Sequence, residues 1–205
     1  MSKPKHRSHL GASYFVTTKC WQSRAIFQLP ENAEILIDIL FQYRKQGAYF
    51  LHEFVVMPDH FHVILTPGLA TSLERAVQLI KGGCSHRIHK ARNHAMEIWQ
   101  QGFHDWTIRD ADDWHGKAEY VAMNPVRAGL VQTFRGWPYS SASGKFDLDP
   151  MPERFSKSSS GAKAPTLVPS TPGLKPRPPK EEATSQNARA HSPGQSGLSH
   201  RGSGA

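Results

Sequence analysis

The segment from Met57 to Leu65, MPDHFHVIL, contains two histidines one residue apart, His60 and His62. Side chains alternate between the two faces of a β-strand, so both imidazoles would project from one face while Phe61 points into the core. Two neutral imidazoles can chelate a divalent cation such as Mn²⁺ or Zn²⁺, and an open site completed by phosphate oxygens can also take Mg²⁺. In isolation the pattern is weak evidence for a metal site, because two exposed histidines on an edge strand would look the same.

A second group of polar side chains is centred on Tyr120. On a helix, Lys117 three residues earlier and Asn124 four residues later would share its face. A phenol is a weak nucleophile at neutral pH, and a nearby ammonium favours its phenolate, so Lys117 could activate Tyr120. Two structural interpretations stay open: Tyr120 could be a packed helical tyrosine, and Asn124, which precedes a proline, could be the N-cap of a new helix or a metal ligand.

The periodicity of apolar residues predicts the elements that would carry these side chains. In chain order they are a strand at residues 13–18, a helix around residues 35–43, strands at 49–57 and 61–65 joined by a Pro-Asp turn, a helix around residues 73–88, a short strand at 99–104 and a helix at 112–123. This order is typical of an α+β fold of the ferredoxin-like or RRM-like type, an antiparallel sheet with helices packed on one face.

Composition divides the chain of 205 residues into three parts. We predict a basic N-terminal arm at residues 1–10, one domain at residues 11–149, and a disordered, basic tail rich in Pro, Ser and Gly at residues 150–205, which has too few large apolar side chains to order itself. The formal charge of +8 favours an anionic partner, such as nucleic acid or acidic lipid.

Two further features indicate the compartment. The chain has only two cysteines, Cys20 and Cys84, too few for a disulfide framework, so a reducing cytoplasm is expected. It has no apolar run of roughly eighteen residues and no apolar signal core after its basic first residues. We therefore predict a cytoplasmic protein without a membrane partner.

Four separated motifs together resemble the REP-associated tyrosine transposases, a branch of the single-tyrosine HUH transposases. They are MPDHFHVIL at 57–65, WQQGFHDWTIR at 99–109, YVAMNPVRAGLV at 120–131 and WPYSS at 137–141. The resemblance spans residues 14–141. Within it, His104 matches the family's aromatic-His-Asp stretch, where a structural or phosphate-contacting role is expected, and Trp106 stands where the family often has a second histidine.

The resemblance implies an enzyme that cleaves and rejoins single-stranded DNA at REP-type hairpins through a 5′-phosphotyrosine intermediate. His60 and His62 correspond to the family's metal-binding histidines, Asn124 to its third metal ligand and Tyr120 to its nucleophile, with Mg²⁺ or Mn²⁺ as the cofactor. The substrate implied is a repetitive extragenic palindrome with a single-stranded guide sequence beside the hairpin. The site of action would be the bacterial nucleoid, and a monomer is expected, with a dimer as the alternative.

Phosphate contacts are expected from basic side chains on the predicted helices. The candidates are Arg75, Lys81, Arg87, Lys90 and Arg127. Two other functions remain open at this stage: a catalytically silent protein that binds single-stranded nucleic acid, and a small metallohydrolase that uses water, with Tyr120 only structural.

Overall fold

The computed structural model describes residues 11–93 and 95–156, which form one antiparallel sheet covered by helices. The elements are β1 (Ser13–Lys19), α1 (Pro30–Lys45), β2 (Tyr49–Met57), β3 (His60–Pro67), α2 (Leu73–Arg92), β4 (His104–Ile108), α3 (Ala111–Arg127) and α4 (Glu153–Ser156). The strand order is β2-β3-β1-β4, and all neighbours are antiparallel. The predicted α+β, ferredoxin-like fold is confirmed. None of the helices in this part of the chain is long and apolar enough to cross a membrane.

The helices cover both faces of the sheet, not one as predicted. Helices α1 and α2 pack on the face formed by residues such as Val16, Phe61 and Val63, which belong to the larger apolar cluster. A second cluster on the other face joins Ile64 to Val121 of α3. Helix α3 follows the complete β-α-β-β-α-β unit, whose two helices already fill the first face, so α3 packs on the opposite one.

The predicted strand at 99–104 is shifted in the structure, where β4 begins at His104. Trp99 forms only an isolated bridge to Cys20 and is buried against the aromatic rings of the larger cluster. Gly102, with φ +76°, then turns the chain before β4 starts. This left-handed conformation suits glycine and interrupts an extended strand.

Residues at and beyond the predicted domain boundary at 149 pack on the domain. Asp149 pairs with Arg44 at 2.8 Å and accepts a hydrogen bond from the Leu51 backbone N–H at 2.7 Å. Phe155 is buried, with its ring 5.4 Å from that of Trp114. The folded domain therefore extends at least to Ser156. The predicted arm at 1–10, and the tail from residue 157 onward, lie outside the described residues.

Truncation tests this corrected boundary. We expect a chain that ends at Asp149 to lose about 3–5 kcal/mol of unfolding free energy, because it lacks the buried Phe155 ring. A chain that ends at Ser156 keeps that ring and serves as the matched control. Thermal denaturation followed by circular dichroism would compare the two, and equal melting midpoints would show that residues 150–156 do not stabilise the domain.

Candidate active site

His60 and His62 lie on the face of the sheet that α3 covers. They stand opposite Lys19 and Thr17 in the antiparallel pairing of β3 with β1, and directly paired residues project from the same face. The two imidazole rings are 4.8 Å apart between centroids, at an interplanar angle of 76°. The predicted alternation along β3 is confirmed: Phe61 points into the opposite, larger core.

Each imidazole is held through its Nδ1 atom. His60 Nδ1 lies 2.6 Å from the Asp59 carboxylate oxygen Oδ1, which accepts the ring N–H. His62 Nδ1 lies 2.8 Å from the Thr17 hydroxyl, where either group can donate. Hydrogen bonds of this kind fix the tautomer and orientation of metal-binding histidines. The Nδ1 atoms of both rings are therefore used in hydrogen bonds within the chain, so a ligand would bind through the Nε2 atoms.

His62 is a buried, neutral imidazole. Its exposed fraction is only 4%, and its Nε2 atom is buried without a hydrogen-bond partner in the described part of the chain. Burial lowers its pKa to about 3, with smaller contributions from the nearby charges of His60 and Lys19. The ring is therefore unprotonated at neutral pH, which is the state that a metal ligand requires.

Helix α3 brings Tyr120 to this pair of histidines. The helix begins after Asp110, whose carboxylate accepts the Asp113 backbone N–H at 2.8 Å. Three turns later the Tyr120 ring lies edge-on to the His62 ring, with 5.2 Å between centroids, while 39% of the residue stays exposed. A phenol partly open to solvent therefore lies against the histidine site of the same chain.

Asn124 lies within α3, one turn after Tyr120, and is half-buried. The N-cap interpretation of Asn124 is wrong, because the helix continues through Pro125 to Arg127 and the Asn124 carbonyl accepts the Ala128 backbone N–H at 3.0 Å. A proline removes one helical hydrogen bond, and here the helix tolerates that loss. The amide of Asn124 is therefore on the helix that carries the nucleophile candidate.

Two cations flank Tyr120. The guanidinium of Arg127 lies over the phenol ring, 5.5 Å from its centroid. The ammonium of Lys117 lies 5.1 Å from the centroid of the Phe15 ring and 4.7 Å from that of the Trp106 ring. Arg127, predicted as a phosphate contact, is thus in ring contact with Tyr120, whereas the ammonium of Lys117 is directed to the neighbouring aromatic rings.

A depression of about 490 Å³ opens beside the phenol. It is lined by Asp110, Asp112, Asp113, Gly116, Lys117, Tyr120 and Arg127. Three carboxylates, both cations and the nucleophile candidate thus border one open space.

The other four predicted DNA contacts are on α2, which packs on the face of the sheet opposite the histidines. Lys81 Nζ donates to the carbonyls of Gln100 and Gly102, each at 2.8 Å, so it holds the turn before β4. Arg87 pairs with Asp38 of α1 at 3.0 Å. The structure therefore does not bring these two, or their helix neighbours Arg75 and Lys90, to the site.

His104 is on the same face as the histidine pair. It stands opposite Thr17 in the pairing of β4 with β1, and Thr17 in turn stands opposite His62. Its side chain is exposed. A strand spacing of about 4.8 Å puts His104 roughly 10 Å from His62, too far for both to bind one cation.

Three residues of the site were not singled out from the sequence: Thr17, Lys19 and Asp59. Asp59 directly precedes His60 and was interpreted only as a residue of the Pro-Asp turn. In the structure its carboxylate also accepts the hydrogen bond of the His60 ring. Thr17 and Lys19 alternate along β1 with the buried Val16, so their face was predictable. Their positions opposite His62 and His60 were not predictable, because they depend on the pairing of β1 with β3.

Comparisons of the sequence and of the fold with known proteins find transposases. The family model described as "Transposase IS200 like" matches residues 12–124, a range that includes both histidines and Tyr120. A REP-associated tyrosine transposase of Escherichia coli (strain K12) is 25% identical over 145 residues, covering 68% of this chain and 84% of that protein. A solved REP-associated tyrosine transposase bound to a REP hairpin superposes with a TM-score of 0.60.

The solved structure is 23% identical and covers 74% of this chain and 92% of its own, so this likeness concerns the fold. The family match covers more than half of the chain, from the start of β1 to Asn124 in α3. The resemblance to the REP-associated branch, inferred from four motifs, is confirmed by the relatives. With the sheet, the paired histidines and the helical tyrosine all inside the matched region, the chain belongs to the IS200-like transposase family.

Proposed function

We propose that this protein cleaves and rejoins single-stranded DNA beside a hairpin, with Tyr120 as the nucleophile. The observation that carries the proposal is the contact between the Tyr120 and His62 rings, 5.2 Å between centroids within one chain. An exposed phenol beside one buried and one half-buried imidazole suits attack on a phosphate that a cation holds. Membership of a transposase family supports the same class of reaction.

The residues present fit a divalent cation. The buried Nε2 of His62 has no partner among the described residues, and the Nδ1 bonds of both histidines are those expected of metal ligands. No three His, Cys, Asp or Glu side chains cluster as a metal site within residues 11–93 and 95–156. We assign the third protein ligand to the amide of Asn124, which lies on α3 one turn after Tyr120. A site of two imidazoles with open positions suits Mn²⁺, or Mg²⁺ once phosphate oxygens join it.

The reaction is an exchange of phosphodiester bonds. The Tyr120 oxygen gives its proton to solvent and bonds to the scissile phosphorus. The bond from phosphorus to the 3′ oxygen breaks, and that oxygen takes up a proton from solvent and leaves as a 3′-OH. Strand joining reverses these steps, so no nucleotide cofactor is consumed. The bound cation would polarise a nonbridging phosphate oxygen. Arg127, over the phenol ring, supplies a positive charge where the phenolate develops, and we assign Lys117 a supporting charge at the same depression.

We propose hairpin DNA of the REP type as the partner. The support is the solved relative of the same fold, which is bound to a REP hairpin, and the REP-associated transposase of E. coli. The net charge of +8 suits a polyanion. On the catalytic face, Lys19 and His104 are exposed beside the histidine pair and join Arg127 as candidate phosphate contacts.

We also propose that Tyr120 acts in its own chain and that the monomer is the active form. The tyrosine reaches the histidines without a second copy. The outer edge of β2 is already paired: the Val56 N–H donates to Tyr139 O at 2.9 Å, and the Asp149 N–H donates to Leu51 O at 2.9 Å. An occupied edge cannot accept a strand from another chain, so the β2 edge offers no route to a dimer.

Replacement of Tyr120 by phenylalanine tests the nucleophile. We expect Tyr120→Phe to lower formation of an SDS-stable protein-DNA adduct at least about a thousand-fold, because only the attacking oxygen is removed. The ring still packs on His62, so affinity for the same labelled hairpin oligonucleotide should be unchanged. Wild-type cleavage by this variant would remove Tyr120 from the mechanism, and cleavage without any adduct in the wild type would indicate a hydrolase that uses water. A wild type that binds the DNA but never cleaves it would indicate a silent binding protein.

The histidine pair is tested through metal binding. We expect His60→Ala and His62→Ala to abolish measurable Mn²⁺ binding in calorimetry and to reduce adduct yield to the level of wild type in excess EDTA. His86→Ala, which removes an exposed histidine from α2, is the matched control and should bind Mn²⁺ normally. Full cleavage in EDTA would contradict a cation in the reaction.

Asn124→Ala should weaken Mn²⁺ binding less than either histidine variant, because water can replace a neutral oxygen ligand. The same calorimetric titration measures this difference. Mn²⁺ affinity equal to that of the wild type would show that Asn124 is not a ligand.

The orientation of the His62 ring gives a further prediction. Thr17→Val is nearly isosteric and removes the hydroxyl that holds His62 Nδ1 at 2.8 Å. We expect Mn²⁺ affinity to fall about 10- to 100-fold. Thr107→Val on β4 is a control for the loss of a strand hydroxyl elsewhere in the sheet. If both variants bind Mn²⁺ like the wild type, the hydroxyl does not orient the ring.

A further inference from the structure

Trp106 is a large aromatic residue left 45% exposed on the catalytic face. It is on the edge strand β4, directly opposite Phe15 of β1, so both rings project from one face of the sheet. The Phe15 ring in turn stacks on the His62 ring at 5.2 Å and meets the Tyr120 ring edge-on at 5.7 Å. An aromatic row thus runs from the metal site to the open edge of the sheet and ends at Trp106.

The indole of Trp106 lies against the start of α3. Its Nε1–H makes a long hydrogen bond of 3.5 Å to Asp113 Oδ2, which also accepts the Arg109 backbone N–H at 3.3 Å. The carboxylate of Asp113 thereby connects the ring, the end of β4 and the first turn of the helix. An exposed ring that is already oriented loses less conformational freedom when it binds a ligand.

Two cations accompany the ring. The Lys117 ammonium lies 4.7 Å from the indole centroid, and the Arg109 guanidinium lies 5.6 Å from it. Single-stranded nucleic acids are bound by aromatic faces that stack on bases, together with positive charges that follow the phosphates. Trp106, Lys117 and Arg109 combine both features within reach of Tyr120.

The exposed aromatic residue Phe50 lacks this setting. Phe50 is 55% exposed but is on β2, the strand at the opposite edge of the sheet. Exposure alone therefore does not distinguish Trp106. Its register with Phe15 and its two cations do.

We propose that Trp106 is a stacking site for one nucleobase of the single strand, a few nucleotides from the phosphate that Tyr120 attacks. The inference rests on the proposed function for its substrate, single-stranded DNA. It assigns Trp106 a positioning role: the stacked base fixes how far the strand extends across the catalytic face.

The test compares stacking with backbone contact. Because stacking tolerates any base, the probes are a short labelled thymidine oligonucleotide and an abasic oligomer of equal length. All variants carry Tyr120→Phe so that only binding is measured, by fluorescence anisotropy. Trp106→Leu should bind the thymidine oligomer about 5- to 100-fold more weakly than the parent, with affinity for the abasic oligomer unchanged.

Two further variants sharpen the comparison. Trp106→Phe keeps an aromatic face and should recover most of the preference for bases. Phe50→Leu, at the opposite edge, is the matched control and should bind both oligomers like the parent. If Trp106→Leu does not fold, as judged by its melting midpoint, Trp106→Gln suits an exposed strand position and gives the same test.

Equal affinities of the parent and Trp106→Leu for the thymidine oligomer would overturn the stacking site. An equal loss with both oligomers would also overturn it, since that pattern indicates altered charge contacts alone. The proposed reaction is judged separately by adduct formation with Tyr120 intact. A chain that forms no adduct but shows the base-dependent loss would refute the transesterase and retain the stacking site.

Discussion

Strand β3 is inside the sheet and is covered on both sides, so each of its side chains is committed to one of two packed faces. Phe61, Val63 and Leu65 fill the core beneath α1 and α2, whereas His60 and His62 face α3. A shift in register by one residue would move the imidazoles into hydrocarbon and the apolar side chains into the site. The packing that stabilises the sheet therefore also aims the two histidines.

The same burial sets the chemistry of His62. A buried polar atom without a partner costs about 1–3 kcal/mol, and the Nε2 atom of His62 is in that condition among the described residues. Desolvation holds its pKa far below the usual range, so the lone pair stays available in mildly acidic solution. A site of this kind sacrifices stability, and a bound cation would offset the loss.

Features encoded locally were predictable from the sequence. The β2-β3 hairpin and the shared face of the histidines follow from alternation and one Pro-Asp turn. The continuation of α3 through Asn124 was not predictable, because the rule against helix before proline is a local preference, and here the buried Pro125 packs within the domain. The basic residues of α2 also gave no indication of the face of the sheet on which the helix packs, since that depends on which helices pack together.

The packing of residues 150–156 on the domain was not predicted for a similar reason. The composition of this segment is poor in large apolar residues, and its attachment relies on a few contacts between positions more than a hundred residues apart, such as Arg154 with Ser13. The low average hydropathy of this segment gave no indication that Phe155, a single ring, completes the second apolar cluster. Pairings of such sequence separation become visible only once the sheet exists.

The pairing of residues 139–149 along β2 has a consequence for self-association. Growth of a fibril by strand addition needs two free edges on each molecule, one to join the last copy and one to receive the next. In the described domain the outer edge of β2 is occupied, and β4 is the other edge strand of the sheet. Two copies joined through β4 would expose no further edge, so association by this route stops at a pair and cannot propagate into a filament.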